Sequence, residues 1–210
     1  MGAGAGGILQ AFKNRNNKVF GLDLGTEYIK FGKQKGINLE IGTIKELNKL
    51  KEKPDLVIYS HVLEHILNPY EELRRLRKYL KKDSLVYIEV PGVKNLEQSY
   101  NQDFLKYLQN AHVYHFSLKT LGNLTKKAGF DLIYGNERIN LILRIGKANN
   151  HFHSDYKETI SFLMNLERRR KNPLNMLRIK SQVFDFLISL SRRTSTFKIG
   201  RKIYHSIKRK

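Results

Sequence analysis

Met1-Gly2-Ala3-Gly4-Ala5-Gly6-Gly7-Ile8-Leu9 opens the chain, and Val19-Phe20-Gly21-Leu22-Asp23 follows it. Glycines let a backbone turn tightly and approach a ligand closely. An acid at the end of the next strand can accept hydrogen bonds from ribose hydroxyls. A glycine-rich turn, a helix, and then a strand ending in an acid is how α/β folds hold an adenosine cofactor. In such folds a strand leads into the glycine loop, and here Met1 stands where that strand would end.

The residues downstream extend the alternation. Gly6 to Asn16 reads as a helix with Ile8, Leu9 and Phe12 on one face, and Lys18–Leu22 reads as a short buried strand. Thr26 is the expected N-cap of a helix ending near Gly36. Asn38–Ile41 and Asp55–Tyr59 are strands, the second announced by Pro54. A helix is expected from Pro69 to Leu80, then a strand over Ser84–Val90 stopped by Pro91-Gly92. A further helix is expected within Asn95–Gln109. Ser117 should cap a helix running to Ala128, with Gly129 as its C′ residue. Phe130–Tyr134 and Ile139–Ile145, joined by Gly135-Asn136-Glu137-Arg138, read as a β-hairpin. Alternating strands and helices imply an α/β fold. The expected form is a Rossmann-like three-layer sandwich with a mostly parallel sheet ending in an antiparallel hairpin.

Beyond Lys147-Ala148-Asn149-Asn150 the pattern changes. Ser154–Arg170 is expected to be helical. A second helix is expected from Pro173, with Leu177, Phe184, Leu187 and Ile188 inward. The domain organisation is thus 1–147, the α/β domain, and 151–210, a basic helical extension. The net charge is +20, and residues 151–210 carry 15 Lys/Arg against 4 Asp/Glu. From Arg192 onward there are eight Lys/Arg and no acid. Ile199, Ile203, Tyr204 and Ile207 form an apolar stripe among them. Such a segment is expected to meet an anionic membrane surface. Nucleic acid is the less favoured partner, because no aromatic-interleaved basic motif is present. The chain has no Cys, which excludes a disulfide framework and any thiolate metal site. No run is long and apolar enough to span a bilayer, and no secretion signal opens the chain. The expected location is cytoplasmic, with peripheral attachment to the inner membrane surface through residues 192–210.

The glycine loop, Gly21-Leu22-Asp23, the block Asp55-Leu-Val-Ile-Tyr-Ser-His61-Val-Leu-Glu64-His65-Ile-Leu-Asn68-Pro69, and Leu85-Val-Tyr-Ile-Glu89-Val-Pro91-Gly92 occur in a telling order. Together they resemble a class I S-adenosylmethionine-dependent methyltransferase over about residues 1–147. Ala111-His112-Val-Tyr114-His115-Phe116-Ser117, running into Ala128-Gly129-Phe130, resembles a branch acting on small molecules in bacterial sugar and polysaccharide pathways. The resemblance implies S-adenosylmethionine as cofactor and a seven-stranded sheet whose last strand is antiparallel. It implies that Gly2, Gly4 and Gly6 pass under the methionine part of the cofactor and that Asp23 holds the ribose. Thr43 and Ile44 would flank the adenine, and His61 would sit near the methyl donor. Two departures stand out. The acid two residues before the first glycine is missing together with its strand, so the chain is expected to start upstream, with Met1 internal. Gly42-Thr43 also stands where many relatives carry an acid.

The G-x-G-x-x-G spacing of Gly2, Gly4 and Gly7 also fits a nicotinamide-dependent dehydrogenase, but the later blocks and the hairpin favour the methyltransferase. His112 and His115 are the expected catalytic pair, because an oxygen or carbon acceptor needs a base to take its proton. No metal site is expected: Glu64 and His65 diverge if helical, and His61 and His65 lack a third ligand. The expected function is methyl transfer from S-adenosylmethionine to a small molecule, a sugar or cell-surface glycan precursor. The alternative is a non-catalytic methyltransferase-like scaffold held by its basic tail. The sequence does not fix the oligomeric state.

Overall fold

The computed structural model of the chain describes residues 1–172 together with 176, 179, 183, 184 and 186–189. Helix α1 (Gly7–Lys13) leaves the glycine loop, followed by β1 (Gly21–Asp23), α2 (Thr26–Gln34) and β2 (Leu39–Ile41). A 3-10 turn at Ile44–Lys49 leads to β3 (Leu56–Ser60), a second at Leu63–His65 to α3 (Pro69–Leu76), and β4 spans Leu85–Glu89. Short turns and α4 (Phe104–Tyr107) precede α5 (Leu118–Lys127), the hairpin β5 (Phe130–Gly135) and β6 (Asn140–Ile145), and α6 (Tyr156–Lys171).

Local chemistry explains these boundaries. Asn68 Oδ1 accepts from the Glu71 N–H, and Pro69, which has no N–H to satisfy, takes the first turn of α3. The Ser117 hydroxyl caps α5 by accepting from the Thr120 N–H, while Thr120 Oγ1 accepts from the Ser117 N–H. Gly25, not Thr26, is the N-cap of α2. The helix expected within Asn95–Gln109 is present as the short α4. Tyr100, Asn101 and Gln102 all take positive φ, and only Phe104–Tyr107 is α-helical.

The strands lie in two sheets. β1 and β2 pair in parallel, and a four-stranded sheet has the order β3-β4-β6-β5. Within the larger sheet β3 and β4 are parallel, while β6 inserts between β4 and β5 antiparallel to both. β3, β4 and β5 therefore share one direction, and the sheet ends in an antiparallel hairpin as expected. The register stacks Tyr59, Ile88 and Leu141 in one row and Val57, Val86 and Leu143 in the next. All six side chains are buried. They join one core with Leu73 and Leu76 of α3, Leu121 of α5, and Leu22 of β1.

The expected seventh strand does not appear among the described residues, and no ladder joins β1 to β3. Residues 1–3 stand between those strands: the Met1 amine donates to Ile58 O at 2.9 Å and the Ala3 N–H to Leu22 O at 2.9 Å.

Among the described residues the chain forms two compact units, one of residues 1–95 with 108–159 and one of 96–107 with the described residues from 160 onward. The second unit buries Leu96, Tyr107 and Leu166, and Arg169 there pairs with Glu97 at 2.8 Å. Phe184 and Leu187, expected inward, are exposed. Leu177, the Pro173 helix start and the 192–210 segment lie outside the described residues. No helix among the described residues is long and apolar enough to cross a membrane.

Candidate active site

The site lies where β1, β2, β3 and β4 end and the glycine loop turns. Gly2, Gly4 and Gly6 all have positive φ, at 59°, 52° and 82°. A Cβ on Gly2 would sit 2.2 Å from Val62 Cγ2, so only glycine fits there. At Gly4 the space is open, with nothing within 4 Å of the same position.

Asp23 ends β1 and ties this loop to the sheet. Its Oδ2 accepts from the Gly4 N–H at 2.7 Å and its Oδ1 from the Gly25 N–H at 2.7 Å. A carboxylate has about four lone-pair sites, so each oxygen keeps capacity for a further donor such as a ribose hydroxyl. The open left-handed glycine turn and the half-satisfied acid fit an adenosine cofactor such as S-adenosylmethionine.

At the end of β2 the Gly42 N–H donates to Asp23 O, which draws this corner toward the loop. Thr43 caps the following turn reciprocally with Glu46, whose Oε2 accepts from the Thr43 N–H at 2.7 Å. That bond holds the Glu46 carboxyl below its ordinary range. Glu46 escaped notice in the sequence, yet it brings a carboxylate beside Gly42, where an acid had seemed absent. Ile44 is 2% exposed and packs in the main core. Its side chain serves the fold rather than lining open space.

His61 follows β3 with φ 53°, a left-handed conformation rare for a non-glycine residue. Its N–H donates to Glu89 O at the end of β4, and its side chain is 58% exposed. The segment after it is a 3-10 turn, Leu63–His65, rather than a helix. The loop 111–115 is fastened onto this turn. The Val113 and Tyr114 N–H groups donate to Glu64 O at 2.9 and 3.2 Å, Tyr114 Oη donates to Leu67 O at 2.9 Å, and His65 Nδ1 bonds Ala111 O at 2.8 Å.

His112 is thereby carried against Glu64 and His65. Its ring centroid is 4.8 Å from that of His65, and its Nε2 is 4.0 Å from Glu64 Oε1. The expectation that no third nitrogen or oxygen ligand accompanies these residues is corrected by this contact, because His112 arrives from a loop far along the chain. His115 stands 5.9 Å from His112, ring to ring. Burial, and secondarily the neighbouring His112, push the His115 imidazole below its ordinary range. Burial does the same to His112. Both shifts favour the neutral imidazole, the form that accepts a proton.

A family model described as a methyltransferase domain matches residues 1–134. No curated protein matches the chain. Several solved structures share the fold. A SAM-dependent methyltransferase from Archaeoglobus fulgidus is 23% identical, with 80% of this chain and 76% of that one covered and a TM-score of 0.54. An S-adenosylmethionine-dependent methyltransferase from Clostridium acetobutylicum ATCC 824 is 11% identical, covering 69% and 82%, with a TM-score of 0.54. The plantazolicin methyltransferase BpumL, solved with a pentazolic desmethylPZN analog and SAH, is 18% identical, covering 80% and 67%, with a TM-score of 0.53. With the family model covering most of the chain and the strand ends, loop and acid arranged as described, the chain belongs to the methyltransferase domain family and has the α/β fold of the S-adenosylmethionine-dependent enzymes.

Proposed function

We propose that the chain transfers a methyl group from S-adenosylmethionine to a small molecule, and that the acceptor is a sugar or cell-surface glycan precursor. The observation that carries the donor site is the Asp23 carboxylate holding the open turn at Gly4. The neighbour BpumL was solved with SAH, the demethylated product of such a donor. Bound there, the donor supplies a sulfonium-activated methyl group. The chain's own part is to align the acceptor with it and to take the acceptor's proton. His115 suits the second task. His112 is turned toward Glu64, so the two histidines divide their roles. The sugar acceptor rests on the sequence resemblance of residues 111–130. Incubating the protein with labelled donor and a panel of nucleotide sugars tests it. Transfer to a sugar supports the assignment, whereas transfer confined to non-sugar phenols or amines removes it.

The alternative reading is a non-catalytic methyltransferase-like binding or scaffold protein held by its basic tail. Donor binding with no transfer to any acceptor would favour it.

Residues 192–210 are proposed to hold the protein on an anionic membrane surface facing the cytoplasm. Each cation near such a surface contributes about 1 kcal/mol, and salt screens it. Vesicles containing phosphatidylglycerol are expected to pellet the full chain at low salt but not a chain ending at Ser191. Equal pelleting of both would rule out the tail as an anchor, and tail-dependent binding to nucleic acid alone would point to the other class of partner.

A further inference from the structure

Among the described residues, Glu64 is a buried acid without hydrogen-bond partners. It is 1% exposed, and neither carboxylate oxygen has a hydrogen-bond partner. Burying a carboxylate without compensation is costly. Three imidazoles surround Glu64 Oε1 without bonding it. His61 Nδ1 is 3.6 Å away, His65 Nε2 is 3.9 Å and His112 Nε2 is 4.0 Å. These separations are too long for hydrogen bonds. They are close to the roughly 3.3 Å expected between atoms that share one ion with bonds near 2.0–2.1 Å.

The orientation of His65 is a second, independent sign. Ala111 O can only accept, so His65 Nδ1 carries the hydrogen of their 2.8 Å bond. With Nδ1 engaged in this way, Nε2 is the ring atom that faces the Glu64 oxygen. A ring that donates one N–H to a backbone carbonyl while aiming its other nitrogen inward is the arrangement seen around metal-binding histidines. His112 is also enclosed, with its side chain 7% exposed and its Nδ1 without a hydrogen-bond partner. One ligand atom from each of Glu64, His65 and His112 falls within 4.8 Å of the others. The four bonds fastening loop 111–115 to the turn hold them there.

We propose that Glu64, His65 and His112 bind a divalent first-row transition-metal ion. Two imidazoles and one carboxylate suit zinc, manganese, iron or cobalt rather than the all-oxygen preference of magnesium. His61 Nδ1 lies 3.6 Å from the same Glu64 oxygen on an exposed side chain, and would be a further ligand or yield to an acceptor oxygen. Metal binding stands independently of the methyl-transfer reading. The ion's role, holding an acceptor hydroxyl and lowering its pKa, rests on that reading.

The test uses the full chain, freed of metal by a chelator and titrated calorimetrically with Zn2+ alone. One ion per chain is expected, with affinity at least tenfold weaker in His112→Ala and in Glu64→Gln. Co2+ should give visible d–d absorption that both variants lose, whereas Mg2+ should not compete at equal concentration. A His151→Ala/His153→Ala variant, outside the cluster, should bind as the parent does. Stoichiometry well below one, or Zn2+ affinity unchanged in both Glu64→Gln and His112→Ala, would overturn the proposal. Loss in the His151/His153 variant alone would also overturn it, by placing the ion elsewhere. Circular dichroism of each variant separates a lost ligand from a lost fold.

Discussion

Replacing His115 by alanine is expected to lower turnover by about 10²–10⁴-fold while donor affinity changes little. That range is typical for removing a positioned general base. The reason lies in where His115 stands. It ends the loop fastened to the 3-10 turn, partly enclosed, and burial shifts its imidazole toward the neutral form. It is remote in sequence from the glycine turn and Asp23, which form the donor side. A base acts on the acceptor, so its loss should fall on kcat and leave the Kd for S-adenosylmethionine within about twofold. His115→Gln, which keeps a polar side chain of similar reach but cannot take a proton, should be as slow as the alanine variant. If either variant turns over acceptor at the parent rate, His115 is not the base. A loss recovered by His115→Gln would indicate a hydrogen-bonding role instead.

The second large effect is expected at Asp23. Asp23→Ala should weaken S-adenosylmethionine binding by roughly 10–100-fold, as expected for losing a hydrogen bond to a charged group worth about 1.5–3 kcal/mol. Asp23 also holds the Gly4 and Gly25 N–H groups, so part of the loss could come from a loosened loop. A donor analogue lacking a ribose hydroxyl separates the two causes. If Asp23 recognises the ribose, the gap between parent and variant shrinks for that analogue. If Asp23 only braces the loop, the gap is the same for both ligands.

The fold was legible where local chemistry dictates it. Asn68-Pro69 and Ser117 with Thr120 start helices in place, and the polar loop 135–138 separates two strands that pair as a hairpin. Legibility failed where conformation depends on distant contacts. Three consecutive left-handed residues confine the helix of segment 95–109 to Phe104–Tyr107, and apolar periodicity does not register them. The approach of His112 to Glu64 is set by backbone bonds from Val113 and Tyr114 to Glu64 O, which join segments 49 and 50 residues apart. The helical reading of 61–65 concealed it by assigning those side chains to diverging faces. Glu46 is the one candidate with a usable local signal, since Thr43-x-x-Glu46 is a capping-box pattern.

The central claim is that this chain binds a methyl donor at the glycine turn and Asp23. Calorimetric titration of the full chain with S-adenosylmethionine, beside Asp23→Ala, tests it most directly. The account predicts one donor bound per chain, with affinity 10–100-fold weaker in the variant. No binding to the parent, or equal affinity for both proteins, would contradict it.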